Sequence, residues 1–187
     1  MKEGFISSLI IPLRMVFVMW AVFFIDPFLP FIDFRAFGIL PRSLFGLIGI
    51  FTAPLIHGNL THLISNTLPL LLLGTTLYFF YNRIANNVFF GIYLVSNALV
   101  WLLARSSIHI GASGVIYGLA GFLIFYGIFR KDLKSLLISI IITLLYGGLV
   151  YGIFPNQPGI SWESHLLGGI TGAFFAMQFS KKPKQKY

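Results

Sequence analysis

The chain has 187 residues, of which 57% are hydrophobic and 10% are charged, and its formal net charge is +8. Soluble domains carry roughly 25% charged residues, so this composition excludes a soluble globular protein, and the high apolar fraction excludes a disordered chain. The absence of cysteine excludes disulfides, thiolate metal sites and a cysteine nucleophile. In so apolar a chain, the positive charge is better explained by the positive-inside bias of membrane proteins than by nucleic-acid binding.

Six apolar stretches follow one another along the chain, each near the length of about 20 residues that crosses a bilayer as a helix. They cover residues 12–31, 60–81, 88–104, 113–129, 136–154 and 162–179. Arg14 falls in the first turn of the first stretch, from which its side chain can reach the headgroups. The sequence therefore predicts one all-α membrane domain over residues 1–187 with six transmembrane helices.

The basic residues predict the orientation of these helices. If the N-terminus is cytoplasmic, ten Lys and Arg lie on the inner side and three on the outer side, which is the expected bias. Six crossings then place both termini in the cytoplasm. Residues 180–187 form a short basic cytoplasmic tail, which we interpret as a topology anchor beside anionic lipid.

A long first outer loop covers residues 33–59 and is itself apolar. Glycines and prolines interrupt it too often for a transmembrane span. We therefore predict that this loop lies in the outer membrane interface.

Four polar residues stand near the outer ends of three inward-running helices. His62 and Asn66 open the second span, Ser113 opens the fourth and His165 opens the sixth. The separation from His62 to Ser113 is 51 residues and that from Ser113 to His165 is 52, so each interval is one crossing inward and one outward. The three helices thus bring these groups to one depth, where polar side chains are costly and indicate function.

Ser113 and His165 are the residue types of a serine nucleophile and its general base. No acid is well placed as a third member, because Glu163 stands two residues before His165 and points away on a helix. The sequence therefore predicts a Ser–His dyad. His62 and Asn66, i and i+4 on one helix face, can face a developing oxyanion together with the Ser113 backbone N–H.

Small residues and one aromatic residue surround this set. Gly111 and Gly114 flank Ser113 and leave its hydroxyl reachable, and Tyr117, one turn later, can pack on the His165 ring. Gly168 and Gly172 share the helix face of His165 and permit close approach of another helix.

Each member also has a structural interpretation. Ser113 alone is typical of helix packing, and His165 alone of an interhelical hydrogen bond. His62 and Asn66 alone are typical of a helix cap. Their common depth and matched spacings favour a catalytic site.

Three stretches carry a resemblance to a known family. They are HGNLTHLISN at residues 57–66, GASGVIYG at residues 111–118 and SWESHLLGGITG at residues 161–172. In order and spacing they resemble the rhomboid family of intramembrane serine proteases, over about residues 51–172. The resemblance implies a six-helix rhomboid bundle with Ser113 as nucleophile, His165 as base, His62 and Asn66 in the oxyanion hole, and Tyr117 supporting the base.

The resemblance also implies the partners. Substrates would be single-span membrane proteins cut near the outer end of their spans, entering between spans two and five under a flexible cap at residues 152–161. It implies no cofactor, no metal and no nucleic acid, and a bacterial plasma (inner) membrane as the location. One departure concerns the first outer loop, where Pro41-Arg42 stands in the region of a family Trp-Arg pair.

Two other functions compete with this prediction. A non-catalytic relative that binds membrane clients would lack the serine or the histidine, and both are present. A transporter or channel would place ionisable groups near the midplane rather than at the outer end. The zinc class of intramembrane protease needs His-Glu-x-x-His, and the chain has no His-Glu pair.

Overall fold

The computed structural model describes residues 4–155 and 159–181. This part of the chain is helical and contains no β-strand. The helices are α1 (Phe5–Ile25), α2 (Gly49–Thr52), α3 (Leu60–Leu103), α4 (Ser113–Arg130), α5 (Leu133–Tyr146) and α6 (Trp162–Ser180). Residues 182–187 of the predicted tail and residues 156–158 of the predicted cap lie outside the described residues. The cytoplasmic placement of both termini stays a prediction.

Helix α3 consists of two antiparallel arms. Tyr81 leaves the helical backbone conformation, with φ −133° and ψ 34°. In a straight helix Gly74 and Phe89 would be about 22 Å apart, yet the Phe89 ring lies 3.8 Å from the position of a Cβ on Gly74. The Tyr78 hydroxyl also donates to Asn86 Oδ1 at 2.9 Å. The arms at residues 60–80 and 82–103 therefore run side by side, which is the geometry that two successive crossings need.

Helix α1 begins at Phe5, earlier than the predicted start at residue 12. The hydroxyls of Ser7 and Ser8 both donate to the Gly4 carbonyl, which satisfies these polar groups within the helix itself. As a consequence Arg14 lies in the middle of α1 and not in its first turn. It is exposed on an apolar side of the helix formed by Ile10, Leu13, Phe17 and Val18.

The core is built around α4. Leu119, Phe122 and Leu123 of α4 are fully buried, together with Phe89 and Ile92 of the second α3 arm. Helix α6 packs along α4 with direct backbone contact. The carbonyl oxygens of α4 occupy the space that side chains on the α6 glycines would need. This contact fixes the distance between the N-terminal ends of the two helices.

Four helical segments of the described chain are long and apolar enough to cross a membrane. They are Phe5–Phe28, Leu60–Leu103, Ser113–Arg130 and Leu133–Ile153. Helix α6 is not among them, although the sequence predicts a span there. Its first turn carries Glu163, Ser164 and His165, and the helix buries Glu163 and His165 against its neighbours and half-buries Ser164.

The predicted fifth span, residues 136–154, is an α-helix only as far as Tyr146. The chain then continues as a 3₁₀-helix over Gly147–Ile153. Runs of 3₁₀-helix longer than three or four residues are uncommon and often mark a functional hinge. This segment, called here the 147–153 segment, leads directly to the candidate site.

Arg42 attaches the first outer loop to the end of α3. Its backbone is left-handed, with φ 60°. Its guanidinium donates to the carbonyls of Ala104 at 2.7 Å and Leu102 at 3.3 Å and to Ser106 Oγ at 3.0 Å. Carbonyls at a helix C-terminus lack intrahelical partners, so Arg42 satisfies them. The interfacial position of the loop stays a prediction.

Candidate active site

One cavity of about 1140 Å³ lies where the N-terminal ends of α3, α4 and α6 meet. The predicted nucleophile, base, oxyanion donors and supporting tyrosine all line it: His62, Asn66, Ser113, Tyr117 and His165. The Asn59 side chain accepts a hydrogen bond from the His62 backbone N–H at 2.8 Å and so caps the start of α3. The folding of three helices thus brings residues more than 50 positions apart in sequence to one site.

Ser113 and His165 are within hydrogen-bonding distance. The distance from Ser113 Oγ to His165 Nε2 is 2.9 Å, and that from His165 Nδ1 to the Gly152 carbonyl oxygen is 2.8 Å. A carbonyl oxygen only accepts, so Nδ1 carries the proton and donates to Gly152. In the neutral ring Nε2 is then the acceptor, and it faces the Ser113 hydroxyl. This is the tautomer that a base for Ser113 needs.

The Tyr117 ring fixes the plane of the base. It stacks on the His165 ring with 4.1 Å between the centroids and an interplanar angle of 5°. Because Tyr117 stands one helical turn after Ser113, a single helix carries both the hydroxyl and the surface on which the base rests.

The glycines around Ser113 have distinct steric roles. Gly111 has φ +105°, a conformation that favours glycine, and a Cβ there would lie 2.6 Å from His62 ring atoms. A Cβ on Gly114 would be 3.2 Å from the Ser164 carbonyl oxygen. Ser113 therefore starts α4 in a turn with no room for a side chain at Gly111 and little at Gly114, and its hydroxyl lines the cavity.

The two predicted oxyanion donors lie on the cavity wall. Asn66 Nδ2 donates to the His62 carbonyl at 2.7 Å, so one of its amide hydrogens is held by its own helix, and the second has no acceptor in the described part of the chain. The His62 ring packs edge-on against the His57 ring, with 4.9 Å between the centroids. Among the described residues, the His62 ring has no hydrogen-bond partner and so its N–H is available to the cavity.

His57 was placed by the sequence in an outer loop, but the structure buries it. Only 5% of its surface is exposed, and neither ring nitrogen has a hydrogen-bond partner among the described residues. Burial, and then the nearby His62, lower the pKa of His57 to about 4, against a smaller opposing effect of the Leu55 backbone. His57 is therefore a neutral ring that packs against the His62 ring.

A polar network outside the dyad joins the loop before α4 to the start of α6. His109 Nε2 donates to the Arg105 carbonyl at 3.1 Å, and Ser161 Oγ donates to His109 Nδ1 at 2.5 Å. Burial is the main cause that lowers the pKa of His109. Glu163 pairs with Arg105 at 3.4 Å, and within the described residues the His165 ring bonds to Gly152 and Ser113 rather than to Glu163. Sequence reasoning missed this network because His109 and Ser161 are 52 residues apart and meet only in the folded chain.

The described residues contain no group of three or more His, Asp or Glu side chains that could hold a metal ion. The polar groups of the cavity are arranged for proton transfer between a hydroxyl and an imidazole and for hydrogen bonding to an anionic oxygen.

A family model and one named relative point to the same family. A family model described as a Rhomboid domain matches residues 45–182. An uncharacterized protein of Mycobacterium tuberculosis is 32% identical over 166 residues, which cover 80% of this chain and 65% of that protein. An uncharacterized protein of Mycobacterium leprae is 34% identical over 155 residues, with 74% and 58% covered. A Bacillus subtilis protein, named as a candidate rhomboid protease, is 27% identical over 144 residues, with 74% and 70% covered. The chain thus spans less than two thirds of the length of the mycobacterial relatives.

Proposed function

This chain belongs to the rhomboid family, and we propose that it is a serine endopeptidase that cleaves membrane proteins within or near the outer end of their transmembrane spans. The family and the apolar helices make it an integral membrane protein. The observation that carries the proposal is the 2.9 Å hydrogen bond from Ser113 Oγ to a His165 ring whose other nitrogen is already occupied as a donor.

The first half of the proposed reaction forms an acyl-enzyme. His165 Nε2 takes the Ser113 proton as Oγ attacks the carbonyl carbon of the scissile peptide. Negative charge then develops on the carbonyl oxygen, and the donors near it are the His62 ring, the second Asn66 amide hydrogen and the Ser113 backbone N–H. The tetrahedral intermediate collapses as the C–N bond breaks, and the imidazolium gives its proton to the leaving amine.

The second half regenerates the enzyme. A water molecule in the cavity loses a proton to His165 and attacks the ester carbonyl. The resulting intermediate expels Ser113 Oγ, which recovers the proton from His165. The polar lining of the cavity supports this step, because hydrolysis at membrane depth requires a place for water.

We further propose single-span membrane proteins in a bacterial plasma membrane as the substrates. The dyad lies at the helix ends that the basic residues assign to the outer side, so the cut would fall near the outer end of a substrate span.

The test compares purified wild type with Ser113→Ala on a tagged single-span substrate in detergent or liposomes. We expect cleavage and labelling by a fluorophosphonate probe with wild type and neither with Ser113→Ala. The variant should keep the wild-type melting temperature, because alanine fills nearly the same space. A wild type that neither cleaves nor reacts with the probe would overturn the proposal and favour a client-binding role. Equal cleavage by both proteins would show that Ser113 is not the nucleophile.

A further inference from the structure

The His165 ring has a third partner besides Ser113 and Tyr117, and this partner is a main-chain group. His165 Nδ1 donates to the carbonyl oxygen of Gly152 at 2.8 Å. In a serine-protease triad an acid occupies this position and fixes the tautomer of the base. Here the nearest acid in sequence, Glu163, is paired with Arg105 instead.

We propose that the Gly152 carbonyl is the orienting group of the base, so that the dyad is competent only while the 147–153 segment is docked against it. The inference rests on the proposed serine-protease function. With the carbonyl in place, the proton is kept on Nδ1 and the Nε2 lone pair faces Ser113. Without it the neutral ring can carry its proton on Nε2, where it cannot accept the proton of the hydroxyl.

The steric surroundings explain why residue 152 is a glycine. A Cβ there would overlap the Tyr117 hydroxyl oxygen and would lie 3.1 Å from His165 Nδ1. Any side chain at this position would therefore push the carbonyl away from the base. Gly148, in the same segment, has no atom within 4 Å of the position of its Cβ. Gly148 and Gly152 thus lie in the same 3₁₀-helical segment, but only a side chain at position 152 would contact the site.

The 147–153 segment is weakly held by the rest of the protein. Val150 is 50% exposed and Tyr151 is 75% exposed, while Leu149 reaches the cavity wall. A segment with few buried contacts opens more readily than the core. Because the same segment supplies the carbonyl, its displacement would break the Nδ1 hydrogen bond. The orientation of the base is therefore coupled to the position of a wall of the cavity.

The test reads the tautomer of His165 directly. The chain has four histidines, so ¹⁵N-histidine labelling gives a simple spectrum in which the His165 signals are identified by their loss in His165→Gln. We expect wild type to show a protonated Nδ1 and an unprotonated Nε2. Gly152→Ala should move the ring toward the other tautomer and lower cleavage at least 10-fold, since small misplacements of reacting groups can reduce rates about 10²-fold. Gly148→Ala should match wild type in both measurements.

Two further variants distinguish a change in the orientation of the His165 ring from a general loss of folding. Tyr117→Phe combined with Gly152→Ala removes the shortest contact of the new methyl group, and it should restore part of the wild-type tautomer. Replacement of Ile153 by its α-hydroxy analogue turns the Gly152 carbonyl into an ester carbonyl, which is a weaker acceptor, without adding a side chain. This variant should shift the tautomer even if Gly152→Ala fails to fold.

The proposal is overturned if wild type carries its His165 proton on Nε2, or if neither Gly152→Ala nor the ester changes the tautomer. Loss of activity with an unchanged tautomer would also overturn it, because the effect would then be structural. The tautomer is measured without substrate. A wild type with the expected tautomer but no fluorophosphonate labelling would therefore refute the proposed function and leave the orienting contact intact.

Discussion

Substitution of two adjacent glycines in α6 should have very different effects. A Cβ on Gly168 would overlap the Gly114 carbonyl oxygen and lie 2.9 Å from the Gly114 carbonyl carbon, whereas a Cβ on Gly169 meets nothing within 4 Å. Gly168→Ala therefore forces a methyl group against α4 backbone that cannot rotate away, while Gly169→Ala adds one to open space.

The size of the effect follows from this contact. Restoring van der Waals distance at Gly168 requires the helices to separate by roughly 1 Å, and overpacking of this kind costs about 1–3 kcal/mol. Alanine in place of glycine otherwise favours a helix by about 0.5–1 kcal/mol. We therefore expect Gly168→Ala to lower the free energy of unfolding by about 1–2 kcal/mol and Gly169→Ala to leave it equal or slightly higher.

The same separation should reach the dyad, because Gly168 stands one turn from His165 and Gly114 is next to Ser113. Lengthening the 2.9 Å contact by roughly 1 Å would break the Ser113–His165 hydrogen bond. Denaturant unfolding in mild detergent measures the stability, and the rate of fluorophosphonate labelling measures the dyad without any choice of substrate. Labelling should fall at least 10-fold for Gly168→Ala and stay unchanged for Gly169→Ala. Equal behaviour of the two variants would refute the close α4–α6 contact.

Two further predictions concern residues outside the dyad. Arg42→Ala should lower the free energy of unfolding by about 1–3 kcal/mol, because it leaves the carbonyls at the end of α3 without their donor. The control is Arg35→Ala, because the Arg35 side chain bonds to no described residue. Equal losses of stability in the two variants would contradict the role of Arg42. For His57 the folded-state pKa of about 4 is below the unfolded value of 6.5, so the unfolded chain binds more protons and stability falls as the pH drops from 6.5 toward 4 by up to about 3 kcal/mol. His57→Leu should flatten this slope in pH-dependent thermal unfolding, and an unchanged slope would refute a neutral buried His57.

The sequence predicts the relative positions of the candidate site residues because the length of a membrane-crossing helix is nearly fixed. Each crossing and turn takes a nearly constant number of residues, so intervals of 51 and 52 residues place His62, Ser113 and His165 at one depth. The side-chain chemistry of these residues is visible in the sequence, and their meeting in one cavity follows from the geometry of a small bundle.

Other features could not be predicted because they depend on tertiary contacts. The early start of α1 depends on two serine hydroxyls that donate to a backbone carbonyl of the same helix. A hydropathy pattern counts these serines as polar and so places the start of the helix after them. The burial of His57 depends on its packing against His62. The contact of Gly152 with the base is made by a carbonyl, and every residue carries one, so no residue type identifies it.

The use of a carbonyl at this position has a physical reason in the membrane. A carboxylate beside His165 would have to be kept charged at membrane depth, where an ionised group costs several kcal/mol unless it is paired. The one acid on the first turn of α6, Glu163, is paired with Arg105. A carbonyl fixes the tautomer because it accepts a hydrogen bond from Nδ1, and it carries no charge that would have to be removed from water. Its field stabilises an imidazolium less than a carboxylate would. In the proposed reaction the proton transfer from Ser113 therefore depends more on the stacking of Tyr117 and on the position of the 147–153 segment.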